Sequence, residues 1–313
     1  MLAHAPAKIN LVLEVEPLRR GEQKHRLHSV FCTTSLVDTL LFDFESGSGP
    51  FDVRIHIEGT DIDFSSLSEE DNTLTKAVEH FKREYGPGAL PSGQLSVQLI
   101  KSIPLQAGLG GGSSDAATML RMLCWLAQVE PLSERSLKVA RAIGADVPFF
   151  LHAPKEGLCA HMGGYGDALI EVLPKPRLHI CLVRPAGGVS TSEAYAAFDS
   201  TVTLVESSVS AHDSFSNNSD AAQKLARILK EEQKPAPAEI AALCSNNLEP
   251  DATKLLPEIT HIKAEARCLP GVLGVLLSGS GSALFAICES PESSIACMRH
   301  FAESGHWAVS TQT

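Results

Sequence analysis

The sequence predicts a water-soluble α+β protein with two domains, from its length, its composition and the order of its strand and helix patterns. Its 313 residues suffice for two domains of roughly 150 residues each. Hydrophobic residues make up 44% of the chain and charged residues 20%, which is typical of a globular protein and excludes disordered and fibrous classes. Strand patterns precede and surround the helical ones, which favours α+β over a regular βαβ alternation.

Alternating apolar residues predict the strands of the N-terminal half. Residues 9–15 follow the period-two pattern of a strand with one buried face, so Lys8 and Asn10 share the opposite face. The same alternation predicts strands over residues 51–58 and 94–100.

Three helices are expected in the same half. Residues 71–85 and 133–143 have helical periodicity, and the second of these helices ends at Gly144. A helix between them begins at Ser113 or Ser114, since serine is a favoured N-cap, and it extends through a run of leucines and methionines.

A change in composition beyond Pro154 predicts a domain boundary, and the expected domains are residues 1–155 and 156–313. In the second domain, residues 178–183 are expected to form a strand.

Two further segments of that domain have distinctive compositions. The uncharged stretch at residues 268–288 is long enough to cross a membrane, but its proline, glycines and serines favour a strand, a glycine turn and a second strand. Seven serines in residues 200–219 predict a mobile surface loop.

Charge and cysteine content restrict the partners and the compartment. With 26 basic and 37 acidic residues the formal net charge is −11, so we expect no nucleic-acid partner and no membrane surface, and an anionic ligand needs a local site. The nearest two of the eight cysteines are nine residues apart, which excludes C-x-x-C spacing and favours reduced thiols. Residues 1–16 lack the pattern of a signal peptide, and a cytoplasmic protein is predicted.

The most informative segment is PLQAGLGGGSSDAA at residues 104–117, where a strand-like run meets a glycine-rich loop that opens onto a helix. Glycines let backbone N–H groups approach a phosphate, and the first turn of a helix adds unpaired N–H groups and the positive end of its dipole. The segment therefore predicts a phosphate site. The alternative, a flexible turn before a capped helix, is disfavoured because turns rarely need four glycines and two serines.

Better-known glycine motifs do not match this loop. A P-loop requires a lysine directly after its last glycine, and no lysine occurs between Lys101 and Lys138. The dinucleotide fingerprint requires a third glycine where Ser113 stands. The H-R-D and D-F-G markers of protein kinases do not occur either, so a different nucleotide fold is required.

The same loop resembles the central phosphate loop of the GHMP kinases, a superfamily that includes galactokinase, homoserine kinase, mevalonate kinase and phosphomevalonate kinase. APAKINL at residues 5–11 is similar to the first motif of that family, and LLSGSGSALFAI at residues 276–287 to the third. All three motifs occur in the family's order, so the resemblance spans essentially the whole chain.

This resemblance implies a fold, a cofactor and a nucleotide site. The expected fold has an N-terminal ribosomal protein S5 domain 2-like domain that binds ATP and a C-terminal ferredoxin-like α+β domain, with the active site in the interdomain cleft. The cofactors are ATP and Mg²⁺, with Ser114 as a metal contact. The residues expected at the nucleotide are Leu105, Gln106, Ala107, Gly108, Leu109, Gly110, Gly111, Gly112, Ser113, Ser114 and Asp115, together with Gly279, Ser280 and Gly281 of the third motif.

The resemblance also implies the catalytic pair. GADVPFFL at residues 144–151 resembles the segment that carries the catalytic aspartate in one branch of the family, which assigns Asp146, and the first motif assigns Lys8. A carboxylate that accepts the proton of an alcohol suits a kinase, and a nearby cation keeps that carboxylate ionised. The alternatives are a solvated aspartate at a helix end and a solvated lysine on a strand face.

Three partial matches imply the substrate class, a cytidine diphosphate-linked methylerythritol. HRLHSVF at residues 25–31 resembles the segment whose histidine contacts cytosine, which assigns His25. VSTSEAY resembles the segment whose threonine and aromatic residue flank the base, which assigns Thr191 and Tyr195, and Asn10 is assigned to the same substrate. The family tyrosine before the histidine is replaced by Lys24, which we expect to contact the diphosphate.

Two other functions stay open at this stage. The first is a related kinase acting on mevalonate, homoserine or a sugar, which would have no need for a cytosine site. The second is an inert family member that binds a ligand as a sensor, which the retention of Lys8 and Asp146 disfavours. A lone histidine such as His25 is also commonly solvated. The sequence does not indicate the oligomeric state.

Overall fold

Two long strands, β1 (Leu2–Val15) and β2 (Leu27–Ser46), open the chain and contribute residues to both of its structural units. The computed structural model describes residues 1–59, 72–208 and 220–313. The first unit consists of Met1–Ala7, Leu36–Leu105 and Gly110–Glu156. The second unit consists of Lys8–Ser35, Gln106–Leu109 and Gly157–Thr313.

The first unit packs helices against a mixed sheet. Its further elements are β3 (Asp52–Gly59), α1 (Thr73–Tyr85), a 3₁₀ turn (Pro87–Ala89), β4 (Gly93–Lys101), α2 (Gly111–Leu126), α3 (Glu134–Ile143) and α4 (Val147–His152). Strand β4 pairs in parallel with β3 and antiparallel with the C-terminal half of β2. Alternate residues of β4, such as Leu95 and Val97, are buried, as the period-two pattern predicts. Helix α1 is capped by Asn72, whose Oδ1 accepts a hydrogen bond from the N–H of Leu74.

The second unit contains the remaining elements of the described chain. They are β5 (Cys159–Gly163), β6 (Ala168–Leu173), β7 (His179–Arg184), α5 (Thr191–Ser208), α6 (Asp220–Leu229), α7 (Pro237–Leu243), β8 (Ser245–Asn246), α8 (Glu249–Leu255), α9 (Glu258–Arg267), β9 (Val272–Leu277), β10 (Leu284–Cys288), α10 (Pro291–Glu303) and β11 (Trp307–Gln312). One sheet has the order β11-β7-β10-β9, and helices α9 and α10 pack on it around Ile259, Ile262 and Phe301. The N-terminal half of β2 pairs antiparallel with β5, and β1 pairs in parallel with β8.

Most of the elements predicted from the sequence are confirmed. The strands over residues 51–58, 94–100 and 178–183 are present within one or two residues, and the strand over residues 9–15 is present but begins earlier, at Leu2. The helices over residues 71–85 and 133–143 are also present within two residues, although residue 71 lies outside the described part of the chain. The glycine-split hairpin consists of β9 and β10, which pair antiparallel. Helix α2 begins at Gly111 rather than at Ser113 or Ser114, because Gly110 adopts a left-handed conformation that turns the chain into the helix.

The surface loop predicted for residues 200–219 is wrong in its first part. Helix α5 continues to Ser208, because Tyr195, Phe198 and Val202 form one apolar helix face that packs on a core with Leu13 and Leu248. The first serine of the segment is exposed on another side of this helix. Residues 209–219 lie outside the described residues.

The two units do not follow the predicted domain limits. Residues 8–35 and 106–109 group with the second unit, whereas the predicted N-terminal domain includes them. The domains 1–155 and 156–313 therefore stay a prediction. All eight cysteines lie in the described ranges as free thiols. Within those ranges, no helix combines the length and the apolar composition that are needed to span a membrane.

Candidate active site

Lys8 is held inside the second unit by partners on two strands. Its side chain is nearly buried, and Nζ donates a hydrogen bond of 2.7 Å to Oδ1 of Asn10 on the same face of β1. Nζ also lies 4.6 Å from the ring centroid of Phe31 on β2, within the range of a cation–π contact. A solvated lysine on a strand face is therefore excluded.

A buried polar chain continues from Lys8 through its neighbours. The Nδ2 of Asn10 donates a 2.9 Å hydrogen bond to Oγ of Ser29, and Ser29 donates its own proton to the carbonyl oxygen of Val12. We call Lys8, Asn10 and Ser29 the Lys8 chain. Each of the three is 4% exposed or less. A buried polar chain whose contacts are satisfied fixes the orientation of its members.

Residues of all three glycine- and lysine-containing motifs contact one another within the second unit. The N–H of Lys8 donates to the carbonyl oxygen of Leu109 at 2.9 Å. The third motif binds the same loop, because Ser278 Oγ donates to the carbonyl oxygen of Gly108 at 3.1 Å. A Cβ on Gly108 would lie 2.1 Å from the carbonyl oxygen of Ser278, and its φ is +73°. This close approach requires glycine.

The third motif is fixed in turn by a side chain from β8. The Nδ2 of Asn246 donates to the carbonyl oxygens of Leu277 and Gly279, at 2.9 and 2.8 Å. A Cβ on Gly279 would lie 3.5 Å from Asn10 Oδ1, which places this glycine beside the Lys8 chain.

In the first unit, helix α2 begins with features of an anion site. Its N-cap is Gly110, which has no side chain to bond the N–H groups of the first turn. The hydroxyl of Ser114 is buried and has no hydrogen-bond partner, so a polar group remains to be satisfied there. A Cβ on Gly112 would contact only the side chain of Thr73, at 3.4 Å or more.

Asp115, in the first turns of α2, differs from the other residues expected at the nucleotide because its side chain forms an ion pair. Lys101 Nζ bonds both Asp115 Oδ2, at 2.7 Å, and Asp38 Oδ2. Asp38 Oδ1 also accepts the N–H groups of Ser102 and Ile103, at 2.6 and 2.8 Å. Burial raises the pKa of Asp115 to about 7, with Lys101 lowering it and Asp38 raising it. We call Asp38, Lys101 and Asp115 the ion cluster.

Asp146 occupies the turn between α3 and α4. Gly144 ends α3 and Pro148 stands at the start of α4, so the aspartate lies at the N-cap of a short helix. A Cβ on Gly144 would lie 3.8 Å from Oγ of Ser113, which places this turn beside the first turn of α2. The predicted base and the start of the predicted phosphate helix are therefore neighbours in the first unit.

His25 and Tyr195, predicted from separate motifs, lie together in the second unit. Their ring centroids are 5.0 Å apart, and Phe198 flanks His25 at 6.0 Å. The Nδ1 of His25 donates to the carbonyl oxygen of Glu16 at 2.9 Å, and its Nε2 lies 3.3 Å from Asp199 Oδ2. The histidine side chain is 8% exposed, so a solvated histidine is excluded.

Thr191 and Lys24 have other surroundings. Thr191 begins α5 and exchanges a hydrogen bond of 3.0 Å with Ser280 Oγ, which links the predicted base site to the third motif. Lys24 is exposed.

Sequence reasoning missed Ser29, Lys101, Asn246 and Asp199. For Asp199 a signal was present, since it follows Tyr195 by four residues and therefore shares its helix face. The other three depend on strand register and tertiary contacts, which no local pattern specifies.

Comparison with known families now assigns the class of protein. A model described as "GHMP kinases N terminal domain" matches residues 72–153, and one described as "GHMP kinases C terminal" matches residues 221–306. The chain belongs to the GHMP kinase family, and it is a phosphotransferase with the predicted two-domain α+β fold. Kinases of this family use ATP.

Several relatives extend the similarity over nearly the whole chain. A protein of Desulfitobacterium hafniense named 4-diphosphocytidyl-2-C-methyl-D-erythritol kinase is 34% identical, covering 92% of this chain and 87% of its own. A protein of the same name from Pelotomaculum thermopropionicum is 33% identical, with 93% and 90% covered. A crystal structure described as 4-(cytidine 5'-diphospho)-2C-methyl-D-erythritol kinase superposes with a TM-score of 0.71 at 31% identity, covering 100% and 99% of the two chains.

Proposed function

We propose that this chain is an ATP-dependent kinase that phosphorylates the 2-hydroxyl of 4-diphosphocytidyl-2-C-methyl-D-erythritol, in the non-mevalonate pathway to isoprenoid precursors. The observation that carries the proposal is the ring contact of His25 with Tyr195, two partly buried residues 170 positions apart that the substrate motifs select independently. The similarity to relatives of that name over nine-tenths of the chain supports the same substrate. We place the enzyme in the cytoplasm.

For the nucleotide, we propose that residues 105–115 and 279–281 cradle the phosphates of ATP. The first turn of α2 suits a phosphate, because its N-cap Gly110 has no side chain that competes for the N–H groups there. The close approach of Gly108 to Ser278 holds the loop against the third motif. Asp115 contributes indirectly, since its carboxylate binds Lys101.

The residues present also fit a magnesium ion. The buried Ser114 hydroxyl, which has no partner, is a suitable oxygen ligand. Among the described residues no group of three or more His, Cys, Asp or Glu side chains is arranged to hold a metal, so phosphate oxygens and water would complete the coordination. When bound, the ion neutralises charge on the phosphates.

For the chemistry, we propose that Asp146 accepts the proton of the substrate hydroxyl as the hydroxyl oxygen attacks the γ-phosphorus of ATP. The bond between the γ-phosphorus and the β,γ-bridging oxygen breaks, and ADP leaves. Gly144 and Pro148 hold the turn of Asp146 in place beside the first turn of α2, which suits a carboxylate that must meet the proposed phosphate site. Lys8 stabilises the negative charge on the attacking and transferred groups, because a buried ammonium acts in a low dielectric.

For the substrate, we propose that the cytosine stacks on Tyr195 while His25 and its adjoining backbone contact the base edge. The hydrogen bond from His25 Nδ1 to Glu16 fixes the ring plane, which prepares a flat site for a flat base. Thr191 adds a hydroxyl, and Asn10 orients the alcohol beside Lys8.

The two alternatives differ from this proposal in what they bind. A mevalonate or homoserine kinase would share the fold, as a mevalonate kinase with a TM-score of 0.70 at 13% identity does, but would gain nothing from the His25–Tyr195 pair. An inert sensor would bind ligand without transferring phosphate.

The test is a comparison of base selectivity. Binding of cytidine diphosphate and uridine diphosphate is measured by calorimetry for the wild type, Tyr195→Ala and the matched control Tyr165→Ala, an aromatic residue on another turn of the same unit. We expect at least about tenfold preference for the cytidine compound, lost in Tyr195→Ala and kept in the control. Equal binding of both nucleotides by the wild type would refute the substrate assignment.

A further inference from the structure

We propose that Ser29 is a positioning residue for phosphoryl transfer, which acts by fixing the orientation of the Asn10 amide and, through it, the ammonium of Lys8. The inference rests on the proposed function of Lys8. Ser29 itself belongs to none of the three glycine- and lysine-containing motifs, and it lies at the far end of the Lys8 chain.

The direction of the hydrogen bonds determines which way Asn10 faces. A serine hydroxyl has one proton to donate, and Ser29 gives it to the carbonyl oxygen of Val12, which can only accept. Towards Asn10 the Ser29 oxygen is therefore an acceptor, and it must meet the NH₂ group rather than the amide oxygen.

The opposite orientation of Asn10 is doubly unfavourable. A flipped amide would direct its oxygen at the lone pairs of Ser29 and its NH₂ group at the ammonium of Lys8. In a site that is at most 4% exposed, no bulk water is present to relieve either repulsion. Ser29 and Lys8 thus select the same orientation from opposite ends of the amide.

Loss of the Ser29 hydroxyl leaves Lys8 alone to favour the observed orientation of the Asn10 amide. The Asn10 NH₂ group then has a buried proton without an acceptor, which costs free energy. Rotation of the side chain relieves this cost but turns the amide oxygen away from Lys8 Nζ. The 2.7 Å contact that holds Lys8 Nζ weakens as a result. Transfer slows because the ammonium is displaced, whereas ATP binding, which uses other residues, changes little.

The chain offers a matched control four residues along the same strand. Thr33 lies on the same face of β2, is fully buried, and its hydroxyl exchanges hydrogen bonds with the backbone of Leu158 at 2.8 and 3.2 Å. Thr33→Val removes a buried hydroxyl of comparable burial outside the Lys8 chain.

The test is a double-mutant cycle on kcat with Ser29→Ala, Asn10→Ala and the combined variant, and Thr33→Val as control. We expect Ser29→Ala to lower kcat by about 10- to 100-fold, with KM for ATP within about threefold of the wild type. In the Asn10→Ala background, Ser29→Ala should lower kcat no further than about twofold. Ser29→Thr, which keeps the hydroxyl, should retain most of the wild-type kcat.

If the losses of kcat in Ser29→Ala and Asn10→Ala add fully in the combined variant, the proposal is overturned. The proposal is also overturned if Thr33→Val loses as much kcat as Ser29→Ala, because general destabilisation would then explain both losses. A crystal structure of Ser29→Ala gives a readout that does not depend on turnover: an unchanged contact between Lys8 and Asn10 would also overturn it. Wild-type enzyme that turns over a different alcohol refutes the proposed substrate alone, and the cycle is then measured with that alcohol.

Discussion

Replacing Asp115 by asparagine removes one charge from the ion cluster, in which two buried carboxylates share a single ammonium. Asp38 has more hydrogen-bond donors than Asp115, since it also accepts hydrogen bonds from two backbone N–H groups. Asp115 Oδ1 is buried without a partner, and burial raises its pKa from 3.8 to about 7. The cluster is neutral only while Asp115 holds a proton, so above neutral pH a neutral amide should be tolerated better than the carboxylate at this position.

The sign and size of the effect follow from the two pKa values. The folded state binds the Asp115 proton more tightly than the unfolded chain does, so its contribution to stability is complete below pH 3.8 and is lost as the pH rises to about 7. At about 1.4 kcal/mol per pKa unit, the loss is at most about 4 kcal/mol. Asp115→Asn removes this loss, and its free energy of unfolding should exceed that of the wild type increasingly from pH 5 to 7.

The assay is urea unfolding of both proteins at pH 5, 6, 7 and 8, followed by circular dichroism. We expect the difference in unfolding free energy to grow with pH and to level off above about pH 7. Asp38→Asn is the control and should destabilise at every pH, by about 3 kcal/mol or more, because it deprives Lys101 of its better-supported carboxylate. An Asp115→Asn variant that is less stable than the wild type at pH 8, by an amount independent of pH, would refute this account of the cluster.

Three further substitutions test the site. Asp146→Asn should lower kcat by about 100- to 10,000-fold with no change in melting temperature, and retained turnover would exclude it as the base. Gly108→Ala places a Cβ against Ser278 and should raise KM for ATP by more than about tenfold, measured beside Gly88→Ala, where a Cβ meets open space. Lys24→Ala should raise KM for the cytidyl substrate by about 5- to 20-fold; an unchanged KM would remove Lys24 from the diphosphate site.

Local patterns predicted the elements that present the site. The period-two alternation of β1 placed Lys8 and Asn10 on one face, and the structure confirms that they are hydrogen-bonded neighbours. Gly144 and Pro148 predicted the rigid turn at Asp146, because each has a conformational effect that acts within one or two residues.

Contacts between distant segments were beyond local reasoning. Ser29 contacts Asn10 although the two residues are 19 positions apart, and Lys101 contacts Asp38 over 63 positions. These contacts depend on strand pairing, so no local sequence pattern predicts them. Asp115 was assigned to the nucleotide from its place in the loop, although its side chain turns to the ion cluster. The start of the serine-rich segment is helical because three apolar residues outweigh the preference of serine for loops.

The measurement that tests the central proposal most directly is Mg·ATP-dependent release of ADP in a coupled assay. The wild type and Asp146→Asn are each given 4-diphosphocytidyl-2-C-methyl-D-erythritol, mevalonate or homoserine. We predict turnover by the wild type with the cytidyl alcohol alone, and its near-complete loss in the variant. Turnover with mevalonate or homoserine instead would contradict the substrate assignment, and release of no ADP with any of the three alcohols would contradict the proposal as a whole.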